Sequence, residues 1–327
     1  MAGKWGILGT GMIAGVFARA LKAGDGTSLC AVASRDLSKA KAFAAEAGAK
    51  KAYGSYEALL ADPKIRYVYI GLPNELHCEW ALKAAEAGKH ILCEKPMAVT
   101  VEEAQRMFAA AEEAKVLLME AFMYRFHPQT ARLRGIVASG EIGDLRVIRS
   151  RFSFTIGDPR NVRLSFPYER GGGGLMDVGC YCTSFSRYLT QEEPCQVFGA
   201  AQFGAESGVD EGFVGTLTFP SGVLAVFDVG LKFHGDTRAD LMGTKGSIEI
   251  PAPWKPGAKS SFKVRVGRET REEQFEGKPE FVLEAESFQA MAEGLAEPMV
   301  RPEETLGNMK VLCALRESAR RCEVIQL

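Results

Sequence analysis

Histidine is scarce in this chain: four residues in 327. The eight cysteines include no CxxC pair, whereas a structural zinc site needs thiol and imidazole ligands at short, regular spacing. No metal and no disulfide framework are therefore expected, and the thiols should pack as small hydrophobes. Blocks of one charge are also missing. Forty Lys and Arg stand against 41 Asp and Glu, for a net charge of −1, so neither nucleic acid nor an anionic membrane is an expected partner. No apolar run approaches the roughly 18 residues that span a bilayer. The opening "MAGKWGILGTG" has no charged leader or cleavage site, which suggests a cytoplasmic protein. Internal repeats and low-complexity tracts are absent as well. What remains is 46% hydrophobic and 25% charged residues, a soluble globular balance in a chain long enough for two domains.

"KWGILGTGMIAGVFARALKA" runs from a short apolar segment through Gly9-Thr10-Gly11 into a helical period, with Met12, Ile13, Val16, Phe17 and Leu21 on one face. The pattern is GxGxxA. Gly9 permits a tight turn, Gly11 lets backbone approach a pyrophosphate, and Ala14 keeps the helix close to its strand. The next strand, "SLCAVASRD", ends in Ser34-Arg35 with Lys39 one turn on. These cations suit a 2′-phosphate and favour NADP(H); the competing reading gives Asp36 the acid role of an NAD site. "KIRYVYIGLPN", "KHILCEKPM" and "VLLMEAFMYRFHP" read as further strands, alternating with helices that include "TVEEAQRMFAAAEEAK", which opens on a Thr100/Glu103 capping box. The fold class expected is α/β. A doubly wound parallel sheet over 1–122 would place Gly9, Arg35, Pro73, Lys95 and Arg125 at strand ends, where such sheets bind ligands.

From about residue 145 strand-like alternation dominates. Turn signals in "TFPSGVLAVF" and "GTKGSIEI" predict a mostly antiparallel, open-faced sheet in a second, α+β domain over 123–327. Two late helices pack on that sheet or return to the first domain, and "PAPWKPGAKSS" (251–261) reads as an exposed loop.

Two residues stand out for chemistry. Lys95, between Glu94 and Pro96, is a poor core residue; it could bind a substrate oxygen or act as a surface lysine. Tyr181 could exchange a proton with a hydroxyl during hydride transfer, its ordinary pKa of about 10 lowered by an ammonium, or it could be a core tyrosine. His77 and His127 are rival acids; His77 reads as a cofactor contact and His127 as structural. Tyr181 lies in "GGGGLMDVGCYC" (171–182), which could be a phosphate loop, a metal knuckle, a linker or the approach to a catalytic tyrosine. Because residues 9–14 take the nucleotide role, the glycines are expected to let backbone pass close to substrate or nicotinamide. "DVGCY" reads as a helix start presenting Asp177 and Tyr181 on one side.

The GxGxxA start, Ser34-Arg35, "PNELH", "CEKPM" and "GGGGLMDVGCYC" together resemble the glucose–fructose oxidoreductase/inositol dehydrogenase superfamily over essentially the whole chain. Tyrosine at 181, with "MEAFMYRFHP" and "AYGSYEALLADP", is similar to its dimeric dihydrodiol dehydrogenase and NADP-dependent D-xylose dehydrogenase branch. The resemblance implies catalytic Lys95 and Tyr181, assisted by Asp177. It implies cofactor contacts from Gly9, Thr10, Gly11, Met12, Ile13, Ser34, Arg35, Lys39, Leu72, Pro73, Asn74, His77, Glu94, Lys95 and Arg125. Phe154, Arg163 and Trp254 fall on the substrate side. The expected function is NADP(H)-dependent oxidation of a sugar, such as D-xylose or D-glucose, or of a cyclic vicinal diol. A homodimer or homotetramer through the C-terminal sheet is expected, and no metal. The alternatives are a keto-sugar or anhydro-ketose reductase, a sugar transhydrogenase, and a non-catalytic NADP sensor. The sugar transhydrogenase has an N-terminal arm that helps retain its NADP, whereas this sequence starts almost at the first strand, so an exchangeable cofactor and an ordinary dehydrogenase are expected.

Overall fold

A computed structural model describes residues 3–158 and 161–327. The chain divides into two compact units, Met1–Phe126 with Glu280–Thr305, and His127–Pro279 with Leu306–Leu327. The first unit thus ends at Phe126 rather than 122 and takes back a late helix.

In the first unit, β1 (Gly3–Leu8), β2 (Thr27–Ala33), β3 (Lys51–Tyr53), β4 (Tyr67–Ile70), β5 (His90–Glu94) and β6 (Leu118–Ala121) form one sheet in the order β3-β2-β1-β4-β5-β6. Every neighbouring pair is parallel, the doubly wound arrangement expected. The strands read as apolar runs because both faces are covered, by α1 (Met12–Ala23), α2 (Leu37–Ala47), α3 (Tyr56–Leu60), α4 (His77–Glu86) and α5 (Val101–Glu113). Phe17 of α1 stacks flat on Tyr69 of β4 at 3.9 Å, and Trp5 of β1 lies 5.3 Å from Phe288. That contact brings the late helix into this unit. Thr100 accepts the Glu103 amide at 3.2 Å, but Glu103 reaches back to the Val99 amide, one residue before the box position. The strand-like "VLLMEAFMYRFHP" is half strand: it passes into a 3₁₀ turn over Met123–Phe126.

The second unit opens with α6 (Pro128–Ala138) and β7 (Leu145–Thr155), then α7 (Val162–Ser165) and α8 (Cys180–Thr190). There follow β8 (Gln196–Phe203), β9 (Asp210–Thr218), β10 (Leu224–Gly230), β11 (Lys232–Gly243), β12 (Gly246–Ile250), β13 (Lys259–Val266) and β14 (Glu269–Glu276). The helix packed into the first unit is α9 (Glu280–Ala292); α10 (Pro302–Arg321) and β15 (Ile325–Gln326) close the chain. The nine strands pair as β14-β13-β12-β11-β7-β10-β9-β8-β15. All contacts are antiparallel except β7 with β10. Both predicted hairpins form, with Gly222 at φ +83° in the Pro-Ser-Gly turn. "SFKVRVGRETREEQF" is a third hairpin, turning at Gly267. Residues 251–261 are not simply an exposed loop, since Pro253, Trp254 and Pro256 are buried.

Candidate active site

In the first unit the loops after the strands gather the predicted cofactor residues. Gly9 adopts φ +104°, and a β-carbon there would sit 2.8 Å from the Gly71 carbonyl oxygen, so the turn requires glycine. Gly11 is the N-cap of α1 and contributes no side-chain cap, and a β-carbon on it would meet nothing within 4 Å. Open space thus lies beside Gly11 at the start of α1, the positive end of the helix dipole. Met12 is 72% exposed beside them, and Thr10 and Ile13 are half-buried. An anionic group fits this end of the helix.

At the end of β2 the acid and the cation have separate tasks. Asp36 is the N-cap of α2: its carboxylate accepts from the Ser38 amide at 2.8 Å, the Ser38 hydroxyl at 2.6 Å and the Lys39 amide at 3.3 Å. The Ser38 hydroxyl, then these amides, hold it below the usual carboxylate range. Arg35 and Lys39 are exposed. Burial raises the Tyr56 phenol, and the neighbouring Arg35 guanidinium draws it back down. Ser34 is buried, its hydroxyl accepting from the Asp36 amide at 3.3 Å. It shapes the turn from within.

The next two strand ends are tied to each other. His77 is fully buried, with Nδ1 2.9 Å from the Pro96 carbonyl and Nε2 2.8 Å from the Leu72 carbonyl. Burial lowers its pKa. It stands as a strut between the Leu72-Pro73-Asn74 loop and the Glu94-Lys95-Pro96 loop, not as a group presented at the surface. Pro73, Asn74 and Lys95 are partly exposed, whereas Leu72 is buried. The buried Glu94 accepts from the Tyr69 hydroxyl and, at 3.2 Å, from the Lys95 amide, so it anchors the loop that carries the lysine. Arg125 is also an internal tie, 5% exposed, donating at 3.1 Å both to the Met299 carbonyl and to Glu304. Behind Glu94 lies a group the sequence reading missed. Glu284 is fully buried on α9, and burial followed by the charges of Glu94 and Glu280 pushes its carboxyl well above the ordinary value.

In the second unit the helix expected to start at "DVGCY" begins instead as a π turn over Leu175–Gly179, in which the Cys180 amide reaches back five residues to the Leu175 carbonyl. The α-helical period of α8 resumes at Cys180. Asp177 lies in the π turn and Tyr181 in the first turn of α8. Arg163 Nε donates to Asp177 at 2.6 Å, and the Arg163 guanidinium lies 5.7 Å from the centre of the Phe154 ring. These three expected residues are therefore brought together. Tyr181 is 4% exposed, packed against Phe152 at 5.4 Å and Trp254 at 5.8 Å between ring centres. Trp254 itself is fully buried and donates to the Arg151 carbonyl at 3.1 Å, so it walls the tyrosine from behind. His127, as expected, is structural: it caps α6 by accepting the Gln129 amide at 3.2 Å.

The glycine run has an internal purpose. A β-carbon on Gly172 would lie 2.1 Å from the Phe166 carbonyl oxygen, and one on Gly173 (φ +102°) 1.7 Å from Asp210 Oδ1. The run packs against its own unit, where backbone approach to a ligand was expected. Among the described residues no group of three or more His, Cys, Asp or Glu could hold a metal, no helix is long and apolar enough to cross a membrane, and all eight cysteines are free.

The doubly wound parallel sheet with a glycine turn after its first strand is the architecture of a dinucleotide-binding domain. The chain belongs to the GFO/IDH/MocA oxidoreductase family with an NAD-binding Rossmann fold: that family's nucleotide-domain model matches residues 3–122, and its C-terminal domain model residues 130–249. Among its relatives, the NADP-dependent D-xylose 1-dehydrogenase 2 of Haloferax volcanii is 36% identical, covering 91% of each chain. The trans-1,2-dihydrobenzene-1,2-diol dehydrogenase of Xenopus tropicalis is 38% identical over 78% of each. The crystal structure of an aldose-aldose oxidoreductase from Caulobacter crescentus, complexed with glycerol, superposes with a TM-score of 0.92 at 28% identity over the whole of both chains.

Proposed function

We propose that this protein is an NADP(H)-dependent dehydrogenase of polyhydroxylated substrates, an aldose sugar or a cyclic vicinal diol. The observation that carries the cofactor reading is the division of labour after β2. Asp36 spends its carboxylate capping α2, while Arg35 stays exposed, an arrangement suited to a 2′-phosphate rather than to a 2′-hydroxyl. The uncapped start of α1 would hold the pyrophosphate, with Gly9, Gly11 and Ile13 lining it and Pro73 and Asn74 on the neighbouring loop. When bound, the nicotinamide supplies or accepts the hydride.

The chain's own residues manage the proton and the oxygen. Tyr181 takes the proton of the substrate hydroxyl in oxidation and returns it in reduction, a transfer worth about 10²–10⁴-fold. The Lys95 ammonium steadies the oxygen as its charge develops. Asp177, held by Arg163 at 2.6 Å, accepts a neighbouring hydroxyl, which supports a substrate bearing several of them. His77 and Glu94 position the Lys95 loop. The sugar and diol substrates named for the relatives agree with this reading. A keto-sugar reductase would use the same residues in reverse.

The test is a panel of aldoses, ketoses and dihydrodiols followed by NADPH absorbance. NADP-linked turnover is expected on at least one aldose or diol. Lys95→Ala and Tyr181→Phe are each expected to lose at least about 100-fold in kcat. Near-normal turnover in both variants would overturn the assignment, and cofactor binding without turnover across the panel would make the protein a sensor.

A further inference from the structure

A π turn is an unfavourable way to begin a helix, because it puts one extra residue into a turn and leaves backbone groups without their α-helical partners. Here two side chains from distant elements bind the backbone at the two ends of the turn. Asp210, at the start of β9 and fully buried, accepts the Leu175 amide at 2.6 Å, the first residue of the π turn. Asn308, on α10 and 1% exposed, donates to the Cys180 carbonyl at 3.3 Å, where the turn gives way to α8. Thr183 adds its own hydroxyl to the Gly179 and Cys180 carbonyls at 3.3 and 3.1 Å. Gly173 lets the chain fold over the Asp210 carboxylate, within the distance a methyl group would occupy.

We infer that Asp210 and Asn308 are positioning residues that hold the π turn, and that this turn sets the rotational register in which α8 presents Tyr181 one turn beyond Asp177. In an unbroken α-helix each residue advances the direction of its side chain by about 100°. Loss of the extra residue would therefore rotate Tyr181 away from the face it now occupies. The catalytic consequence rests on the function proposed above; the positional one does not. The π turn needs only an acceptor at Asp210, and a protonated carboxyl still offers its carbonyl oxygen to the Leu175 amide.

The variants are Asp210→Ala, which removes the acceptor, Asp210→Asn, which keeps one, and Asn308→Ala. The position of Tyr181 is read by ¹⁹F NMR of protein labelled with fluorotyrosine, its resonance identified by its loss in Tyr181→Phe. Turnover is read with D-xylose and NADP. In Asp210→Ala and Asn308→Ala the Tyr181 resonance should shift, and kcat should fall about 10- to 100-fold with NADPH affinity unchanged, as expected for a misplaced proton acceptor. Asp210→Asn should restore the resonance and most of the rate. In a Tyr181→Phe background Asp210→Ala should cost nothing further, since both act through one group. An unmoved Tyr181 resonance with a merely lowered melting temperature would overturn the inference. If Asp210→Ala does not fold, Asn308→Ala decides by the same readouts. If wild-type protein does not turn over D-xylose, or if Tyr181→Phe stays active, the function assigned above fails while the resonance still decides the positional claim.

Discussion

Gly11 and Gly173 each stand just before a helical segment on which the proposed chemistry depends, yet an added methyl group has opposite consequences at the two. At Gly11 it would enter open space; at Gly173 it would strike a buried carboxylate oxygen at 1.7 Å. In the first unit glycine leaves open space at the helix start, which the proposed function would fill with the nucleotide. In the second it lets the backbone close over the chain's own acid. Sequence cannot separate these uses, because glycine confers the same freedom in both. The difference comes from what the fold places opposite.

The comparison breaks most severely at Gly173. Alanine there combines φ +102° with a collision against Asp210, whose Oδ2 is already pinned by the Leu175 amide. The expected loss exceeds about 4 kcal/mol, seen as a collapse of soluble yield or of the denaturant midpoint. A Gly173→Ala protein melting within a few degrees of wild type would mean that the glycine run is slack and the packing account wrong.

The acid beneath the run gives the next largest effect. Burial pushes the Asp210 carboxyl up to about 7, against the pull of the Leu175 amide and of Arg316; Tyr168, whose phenol is raised by burial and then by Asp210, also faces it. Because the folded value lies above the unfolded 3.8, the folded state binds more protons between the two. Stability attributable to this group is therefore full below about pH 4, declines as pH rises toward 7, and is flat beyond. The decline amounts to at most about 4 kcal/mol. Denaturant melts across this pH range should show it in wild type and lose it in Asp210→Asn. Equal slopes in the two proteins would place Asp210 in contact with water.

How far the residues themselves disclosed the site follows from the range of the interactions involved. The glycine turn at residues 9–14 is readable as a local pattern, although the carbonyl of Gly71 that makes Gly9 obligatory comes from beyond another strand. The cap at Asp36, made by neighbours two and three positions on, was instead weighed as the acid of an NAD site. The roles of Arg125 and His77 were not. Arg125 has the look of a strand-end ligand residue until Met299 and Glu304, 174 and 179 residues away, claim its guanidinium. His77 sits in a promising motif, yet its ring is consumed by two carbonyls that only the fold brings together. The second unit was harder still. An α-helical and a π start to α8 differ by one residue in hydrogen-bond reach, and the partners that decide it, Asp210 and Asn308, come from β9 and α10. Trp254 misled for the opposite reason: proline and glycine around it signal a loop, and a loop can still bury its aromatic residue.

The smallest effect on folding belongs to Gly11, and it sharpens the contrast most. Its backbone at φ −77° suits any residue, and a β-carbon there touches nothing within 4 Å. Gly11→Ala should therefore change stability by no more than about 0.5 kcal/mol, as at an unconstrained surface site. Under the proposed function the same methyl would stand at the start of α1, where the pyrophosphate would come against the backbone. NADPH should bind at least about tenfold more weakly, a change of about 1.4 kcal/mol, measured by fluorescence titration beside a thermal melt of the unliganded protein. Lost affinity with an unchanged melt is the signature of a glycine kept for a ligand. A lowered melt with unchanged affinity would make Gly11 a packing glycine like Gly173, and the nucleotide would have to be placed elsewhere.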